Sequence, residues 1–470
     1  MVTGAERLSA LDAAFLYLEN DVQPLHLGSV LVLAGPAPTP QELRDHLATR
    51  LETVPWHRRR VRRMPADLGR PIWVDGGPLA VEEHLTHVVL EPPGDDAQLR
   101  ELVGRVMTRR LDADRPLFHL WHVDGLADGR WALVATAHHA MVDGVSGADL
   151  VLSLTTAGPD AVLGAAPVPP GPPGRPSRPP PDPSTLGLVL PGAGWLVALP
   201  FRALRLLLRS LVAPRAAISA VRRVRHGLAQ VVRPDLPPNV LGGPLSGERR
   251  WGWLCADAAE VAEVPESTGC TLNDVFLGAV AGGLRRYLLD RGEPLEATVV
   301  RVIVPVSGRT AGGPVRPGNL TSAMFLELPV HVADPLERLE LVASLTAEQK
   351  SRAVAASTAA LVRLADHVPA PLLARAARSY ARDGQRRVNL AATDVVGPAH
   401  ARRLAGRRLL EILPVTPLAQ EVRVTVALVS YAGRLTIGVT VDGAALPDLD
   451  RLLDAIDGSL REVVGAVRRP

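Results

Sequence analysis

Hydrophobic and polar positions follow two periods along the chain, and each period predicts a different element. Apolar runs of strand length cover Arg130 to Ala137 and Thr298 to Val306. Glu421 to Ser430 and Leu435 to Val441 flank a short turn, which is typical of a hairpin. The clearest helix is the last one, where the apolar residues between Leu449 and Val464 form one stripe. Strands and helices therefore alternate on both sides of the middle of the chain.

A segment of different composition separates the two halves. Pro167 to Pro183 contains ten prolines in seventeen positions, which excludes helix and central strand and predicts a linker. Phe201 to Arg233 follows without an acidic residue, and leucines and arginines occupy opposite faces of its predicted helix. Two interpretations stay open: a helix on an anionic lipid surface, or a crossover helix with solvated arginines. We therefore predict an amino-terminal domain at 1–165, a linker and crossover segment at 166–240, and a carboxy-terminal domain at 241–470.

Composition and charge exclude several classes of protein. The chain has 470 residues, 47% hydrophobic and 21% charged, so it can bury a large core and is not a disordered chain. Its two cysteines are too few for a disulfide framework and have no metal-binding spacing. The net charge is +3, and no motif indicates nucleic-acid binding. Because the sequence contains neither a secretory signal pattern nor the roughly 20 apolar residues of a membrane span, we expect a cytoplasmic protein.

Candidate catalytic residues, from His138 to Gly144, directly follow the strand predicted at Arg130 to Ala137. An imidazole at a strand end is held by the sheet yet open in front, and its ordinary pKa near 6.5 leaves it largely neutral at pH 7, which suits a general base. We assign His139 as the base and His138 as its support, because adjacent strand residues point to opposite faces. Asp143 is expected to be architectural, beside the turn that Gly144 permits, with Arg309 as its candidate partner. The alternative is that both histidines are ordinary core or surface residues.

Six short blocks occur in a fixed order along the chain. They are Leu8 to Glu19 with Pro24 to Gly28, His138 to Gly144, Asn273 to Val275, Pro305 to Arg309, Gly318 to Asn319, and Ser430 to Gly433 with the final helix. In this order they resemble the bacterial wax ester synthase/diacylglycerol acyltransferase family over nearly the whole length. One departure is Phe118, which stands where that family usually has tryptophan.

The resemblance implies a fold, a reaction and a catalytic residue. The fold is the two-domain fold of coenzyme A-dependent acyltransferases, similar to chloramphenicol acetyltransferase, with mixed α/β sheets and an active-site tunnel between the domains. The reaction moves a long-chain acyl group from acyl-coenzyme A to diacylglycerol, to a long-chain alcohol, or to both. Acyl-coenzyme A is then a substrate, and neither a bound cofactor nor a metal ion is expected. The second histidine of the motif, His139, is taken as the base in that family.

Supporting roles follow from the same blocks, and each has a structural alternative. Asn273 can orient substrate or hydrogen-bond a developing oxyanion, or it can serve a structural turn. Asp274 is predicted to cap the helix that it begins, together with Thr271. Glu19 holds the active site, as its block implies, or is an ordinary surface carboxylate. Ser307 donates a hydrogen bond or caps a turn.

Both the long-chain acyl donor and the acceptor alcohol are hydrophobic, which favours an enzyme at a lipid surface. We therefore expect peripheral association with a membrane or a lipid droplet. Two rival functions remain from the sequence. One is a related acyltransferase that esterifies a polyketide or another secondary-metabolite alcohol. The other is a non-catalytic lipid-droplet binding protein that keeps the fold.

Overall fold

The structure is a computed structural model, and it describes most of the chain. It covers residues 6–52, 55–141, 153–157, 235–307, 321–351, 364–383 and 387–468, with eight helical positions between 201 and 222. The proline-rich segment 167–183 lies outside the described residues. The domain boundaries proposed from the sequence stay a prediction.

Seven strands form the first large sheet. In spatial order they are β5 (Leu85–Val89), β6 (Phe118–Asp124), β7 (Trp131–His138), β2 (His26–Leu33), β14 (Arg407–Val415), β13 (Arg402–Leu404) and β8 (Thr156–Ala157). β5 and β6 run parallel, and the other neighbours run antiparallel. β7 is buried along its whole length, because Leu133 and Val134 point to opposite faces and enter two different apolar clusters. This double burial explains why β7 is a continuous apolar run in the sequence.

Six strands of the second half form the other large sheet, and three short strands form a small one. In spatial order the large sheet contains β11 (Thr321–Leu328), β10 (Val300–Ser307), β12 (Leu390–Val396), β15 (Val424–Tyr431), β16 (Arg434–Asp442) and β9 (Arg249–Asp257). The small sheet contains β1 (Glu6–Arg7), β4 (Ile72–Asp75) and β3 (Arg59–Arg62). β12 runs parallel to β10 and β15, while the remaining pairs of the large sheet are antiparallel. Both large sheets are therefore mixed, as predicted.

Helices cover the sheets. Those with defined bounds are α1 (Ala10–Leu18), α2 (Pro40–Glu52), α3 (Asp96–Val106), α4 (Ala258–Thr268), α5 (Leu272–Asp290), α6 (Pro335–Ser351), α7 (Ala370–Asp383) and α8 (Leu449–Val467), and short 3-10 helices lie at Pro55–Arg58, Pro65–Asp67, Val81–His84 and Ala127–Gly129. α5 and α8 pack together beside the second sheet. A Cβ atom at Gly283 of α5 would lie 2.7 Å from the Cα of Ile456, so only glycine permits this close packing.

The two halves of the chain are interlocked through β14. This strand comes from the second half but pairs with β2 inside the first sheet. On the second sheet, the indole N–H of Trp251 donates to the carbonyl of Pro414 at 3.0 Å. The same carbonyl would lie 2.1 Å from a Cβ at Gly438, so the contact requires glycine there. We call the first sheet with its helices the first lobe and the second sheet with its helices the second lobe; residues 402–415 belong to the first lobe.

The elements predicted most directly from periodicity are confirmed. The two apolar runs form β7 and β10, and the hairpin forms β15 and β16 around Ala432 and Gly433. The last helix begins at Leu449, two residues after Pro447, and buries the predicted stripe. The observed bounds differ from the predicted ones by one to three residues, which is the usual uncertainty at element ends.

Candidate active site

The two predicted histidines stand at the end of β7, beside two other chain segments. His138 is the last residue of β7, and its register partner is His26 of β2. The backbone N–H of His138 donates to the carbonyl of Leu117, and that of His139 donates to the carbonyl of Leu25, both at 2.8 Å. Hydrogen bonds to neighbouring segments therefore fix the backbone from which both rings project.

The ring of His139 lies against α1. Its centroid is 4.0 Å from that of the Phe15 ring, with an interplanar angle of 14°, which is a stacked contact. The start of α1 is fixed by Ser9, whose hydroxyl accepts a hydrogen bond from the Asp12 N–H at 3.0 Å. His139 is half-buried, whereas His138 is only 1% exposed. The more accessible ring of the pair is therefore that of His139.

His138 is the buried member, and its contacts define where its proton lies. Its Nδ1 accepts a hydrogen bond from the Ala140 N–H at 3.0 Å. A neutral imidazole has one donor and one acceptor nitrogen, so Nε2 carries the hydrogen, and it lies 3.6 Å from Oε1 of Glu19. Burial lowers the pKa of His138 well below its ordinary value, and the nearby His139 and His26 lower it further. His138 is therefore neutral at pH 7.

Glu19 connects α1 with the buried histidine. Its backbone N–H donates to the carbonyl of Phe15 at 3.1 Å as α1 ends. Its side chain is 6% exposed, and Oε2 accepts a hydrogen bond from Nη2 of Arg110 at 3.1 Å. A buried carboxylate requires a cation, and Arg110 supplies it. The structure thus brings together Glu19 and His138, two residues singled out in the sequence, and adds an arginine.

The other sequence candidates lie in the second lobe. Asn273 is the second residue of α5, and its Oδ1 is buried without a hydrogen-bond partner among the described residues. Asp274 caps α5, as predicted: its carboxylate accepts from the Thr271 N–H at 2.8 Å, and the Thr271 hydroxyl accepts from the Asp274 N–H at 3.3 Å. A third contact, from the hydroxyl of Thr346 at 2.6 Å, ties the cap to α6. Ser307 is the last residue of β10.

Three candidates fall outside the described ranges: Asp143, Gly144 and Arg309. The predicted pairing of Asp143 with Arg309 therefore stays a prediction. Over the ranges that the structure does describe, histidine, cysteine, aspartate and glutamate side chains do not gather in groups of three or more that could hold a metal ion.

A small cavity of about 70 Å³ lies between the lobes. Its lining is mostly apolar and comes from β2, β12, β14 and β15 and the residues that follow β12 and β14. One lining residue, Leu27, is the register partner of Ala137, which directly precedes the two histidines. Across from it, Val395 and Val429 belong to the second lobe. The cavity is therefore a small apolar space between the lobes, and its lining includes the β2 residue that pairs with Ala137 of β7.

Comparison with known proteins identifies the family. Residues 8–276 match the family model described as the wax ester synthase/diacylglycerol acyltransferase catalytic domain, and residues 317–463 match the model of the family's C-terminal domain. The chain belongs to the wax ester synthase/diacylglycerol acyltransferase family. A relative from Mycobacterium tuberculosis strain H37Rv, named "Probable diacyglycerol O-acyltransferase tgs1", is 32% identical over 466 residues, covering 98% of this chain and 96% of the relative.

Solved structures agree with this family fold. The wax ester synthase/diacylglycerol acyltransferase from Marinobacter aquaeolei VT8 matches with a TM-score of 0.65 and 24% identity, over 98% of this chain and 100% of that one. The starter condensation domain of rhizomide synthetase, solved in complex with C8-CoA, matches with a TM-score of 0.57 and 14% identity, over 99% and 95% of the two chains. These structures confirm the predicted two-domain fold, and the family models confirm the predicted acyltransferase class.

Two residues at the site were not singled out in the sequence. Phe15 lies inside the first of the six blocks. From the sequence, an aromatic residue in a helix is expected to be a core residue, and only the structure shows its ring stacked on His139. Arg110 is one of many arginines, and 91 residues separate it from Glu19. The sequence contains no signal that could have selected it, because the pairing depends on how the end of α1 meets the residues that follow α3.

Proposed function

We propose that this chain transfers a long-chain acyl group from acyl-coenzyme A to the hydroxyl of diacylglycerol or of a long-chain alcohol, with His139 as the general base. The observation that carries the proposal is the position of His139. Its ring is half-buried at a strand end and stacked on Phe15. A small apolar cavity between the two lobes is lined by Leu27, the register partner of Ala137, which lies two residues before His139. A base in such a place can meet a hydroxyl and a thioester that enter between the lobes.

The proposed reaction needs no covalent enzyme intermediate. His139 removes the proton from the acceptor hydroxyl as its oxygen attacks the thioester carbonyl carbon. A tetrahedral oxyanion forms, and it collapses when the carbon–sulfur bond breaks. The protonated imidazole then returns the proton to the leaving thiolate, so that the products are the ester and free coenzyme A. Phe15 holds the plane of the base throughout.

The remaining candidates support this step. His138 and Glu19 are proposed to hold the turn from which His139 projects, through the contacts of Nδ1 with the Ala140 N–H and of Nε2 with the carboxylate. Asn273 is proposed to face the substrate, because its buried Oδ1 has no partner in the described part of the chain. Ser307 and the pair of Asp143 with Arg309 keep the roles proposed from the sequence.

The test is a product assay with a panel of acceptors. The purified protein is incubated with radiolabelled palmitoyl-coenzyme A and, separately, with diacylglycerol, hexadecanol and soluble secondary-metabolite alcohols. We expect labelled triacylglycerol or wax ester and a matching release of thiol. Ester formed only with the soluble alcohols would favour the secondary-metabolite rival. Lipid binding without any ester would favour the non-catalytic rival, and either result would overturn the proposal.

Association with an anionic lipid surface is part of the proposal, and the connector supplies the observation. Residues 201, 205, 208, 212, 215, 218, 219 and 222 have helical backbone. Apart from the adjacent pair 218 and 219, they are spaced by three or four residues, which places them on one face. That face exposes apolar side chains, with Phe201 at 72% and Val212 at 87%. Arg205, Arg215 and Arg222 are exposed on the same face, so Arg205 and Leu208 are not on opposite faces as the sequence predicted. Apolar groups flanked by arginines match the interface of an anionic bilayer. In the described part of the chain, no helix is both long enough and apolar enough to span a membrane.

Reversing the charge of this face is expected to weaken lipid binding. In the variant Arg205→Glu, Arg215→Glu, Arg222→Glu, each arginine removed costs about 1 kcal/mol of attraction to an anionic surface, so the partition coefficient should fall by about 100-fold. The measurement is cosedimentation with phosphatidylserine-containing liposomes. Arg105, Arg451 and Arg461 are exposed elsewhere, and their change to glutamate gives the same net charge as a control. Equal losses in both triple variants would contradict a dedicated lipid-binding face.

A further inference from the structure

We propose that Arg110 is a positioning residue: through Glu19 it fixes the proton on Nε2 of His138 and thereby the turn that presents His139. This inference rests on the proposed function, because it assigns His139 as the base. Arg110 itself touches neither the ring of His138 nor that of His139 in any hydrogen bond or ion pair that the described residues show. Its effect is therefore transmitted through the carboxylate.

The guanidinium of Arg110 is held in one orientation by two carboxylates. Nη2 donates to Oε2 of Glu19 at 3.1 Å, and Nη1 donates to Oδ1 of Asp21 at 3.2 Å. Asp21 is 92% exposed, whereas Glu19 is 6% exposed, so the two contacts differ in strength. The exposed pair is weak, and the contact with the buried carboxylate carries most of the interaction.

The second oxygen of Glu19 transmits this contact to the histidine. While Arg110 occupies Oε2, Oε1 lies 3.6 Å from Nε2 of His138 and has no hydrogen-bond partner in the described ranges. An ionised carboxylate favours an N–H rather than a lone pair at that position. The hydrogen therefore stays on Nε2, and the Nδ1 lone pair stays free to accept the Ala140 N–H.

The Ala140 contact lies in the turn that carries the proposed base. The turn is closed by a second hydrogen bond, from the Met141 N–H to the carbonyl of His138 at 2.8 Å. His139 lies between His138, whose Nδ1 accepts this hydrogen bond, and Ala140, whose N–H donates it. If the hydrogen moved from Nε2 to Nδ1, two N–H groups would face each other and the turn would lose one of its two bonds.

Other charged groups near this chain of contacts do not replace Arg110. His139, His26 and Arg63 lie near His138, and each of them lowers the pKa of its ring, as Arg110 does. Arg63 donates instead to the carbonyl of Leu16 at 3.3 Å. The guanidinium that hydrogen-bonds the Glu19 side chain is that of Arg110.

The test is a double-mutant cycle between Arg110→Met and Glu19→Gln, measured as kcat and KM of ester formation by the full chain. We expect kcat to fall roughly tenfold in each single variant, with KM for both substrates nearly unchanged. Because the two residues act through one contact, the double variant should be no slower than Glu19→Gln alone. Arg110→Lys, which keeps the charge, should restore most of kcat. The acid limb of the pH profile should also move to higher pH in Arg110→Met, since the charge of Arg110 lowers the pKa of His138.

Controls separate this inference from the function on which it rests. Arg109→Met changes the neighbouring exposed arginine and should leave kcat and the pH profile unchanged. Thermal unfolding of each variant shows whether a loss reflects folding, and if Arg110→Met fails to fold, the lysine variant and Glu19→Gln complete the comparison. Losses that multiply in the double variant, or an unaltered pH profile in Arg110→Met, would overturn the positioning role. A wild-type protein that forms no ester would instead overturn the proposed function.

Discussion

A His139→Ala protein is expected to keep its fold and to form ester about 10²- to 10⁴-fold more slowly than the unmodified chain, the range that general-base catalysis contributes. The side chain is half-buried and stacks on Phe15, whereas the hydrogen bond to the carbonyl of Leu25 comes from the backbone N–H of His139, so it remains in the alanine variant. The loss should appear in kcat, because the imidazole acts on the reacting hydroxyl. Initial rates of thiol release with saturating palmitoyl-coenzyme A and acceptor measure it.

A matched control separates catalysis from packing. His400 is an exposed histidine of the second half, and His400→Ala should retain full activity. His138→Ala should behave differently from both, since it empties a buried position and removes the acceptor of the Ala140 N–H, lowering stability together with activity. Turnover of His139→Ala within a few-fold of the unmodified chain would remove the assignment of the base.

The free energy of unfolding is expected to fall steeply as the pH drops below about 6.5. Burial lowers the pKa of His26 to about 4 and that of His57 to about 3, with His84 adding to the effect at His57. Between these values and 6.5 the unfolded chain binds protons that the folded chain does not, so stability is fully present above pH 6.5 and is lost on acidification. Each histidine contributes about 1.4 kcal/mol per pH unit, or about 3 kcal/mol per unit for the two. Urea denaturation between pH 7.5 and 4.5 measures this slope.

His57 offers the sharpest variant for this prediction, because it is fully buried and distant in sequence from the histidine pair. Its ring stands 4.0 Å from that of Trp56 and 5.4 Å from that of Phe118. His57→Phe should keep these contacts and reduce the slope by about 1.4 kcal/mol per pH unit. His331→Phe, at an exposed position, should leave the slope unchanged. A slope that is the same in His57→Phe would show that other groups cause the acid sensitivity.

Much of the fold could be predicted because periodicity reports local burial. β7 is buried on both faces, so its apolar run is continuous, and α8 buries one stripe, so its leucines recur with the helical period. The capping box of α5 was also predictable, since Thr271 and Asp274 are three residues apart and satisfy each other's N–H groups. Each of these features depends on neighbours in the sequence.

The rest depends on contacts between distant segments, about which a single sequence carries no signal. The stack of Phe15 on His139 joins α1 to the end of β7, and Arg110 reaches Glu19 across 91 residues. The insertion of β14 into the first sheet was not predicted either, because its apolar pattern fits any sheet equally well. The sequence therefore indicated which residues matter at the end of β7, and the structure was needed to show what holds them.

The place of β14 in the first sheet has a consequence for biosynthesis. β2 lies between β7 and β14, so the backbone groups along one of its edges find their partners only after residues 407–415 have been synthesised. Until the ribosome has released that late stretch, the nascent amino-terminal half carries an open edge with unpaired backbone groups, which another polypeptide can join. Chaperone protection during translation should therefore matter more for this protein than for one whose halves complete their sheets independently.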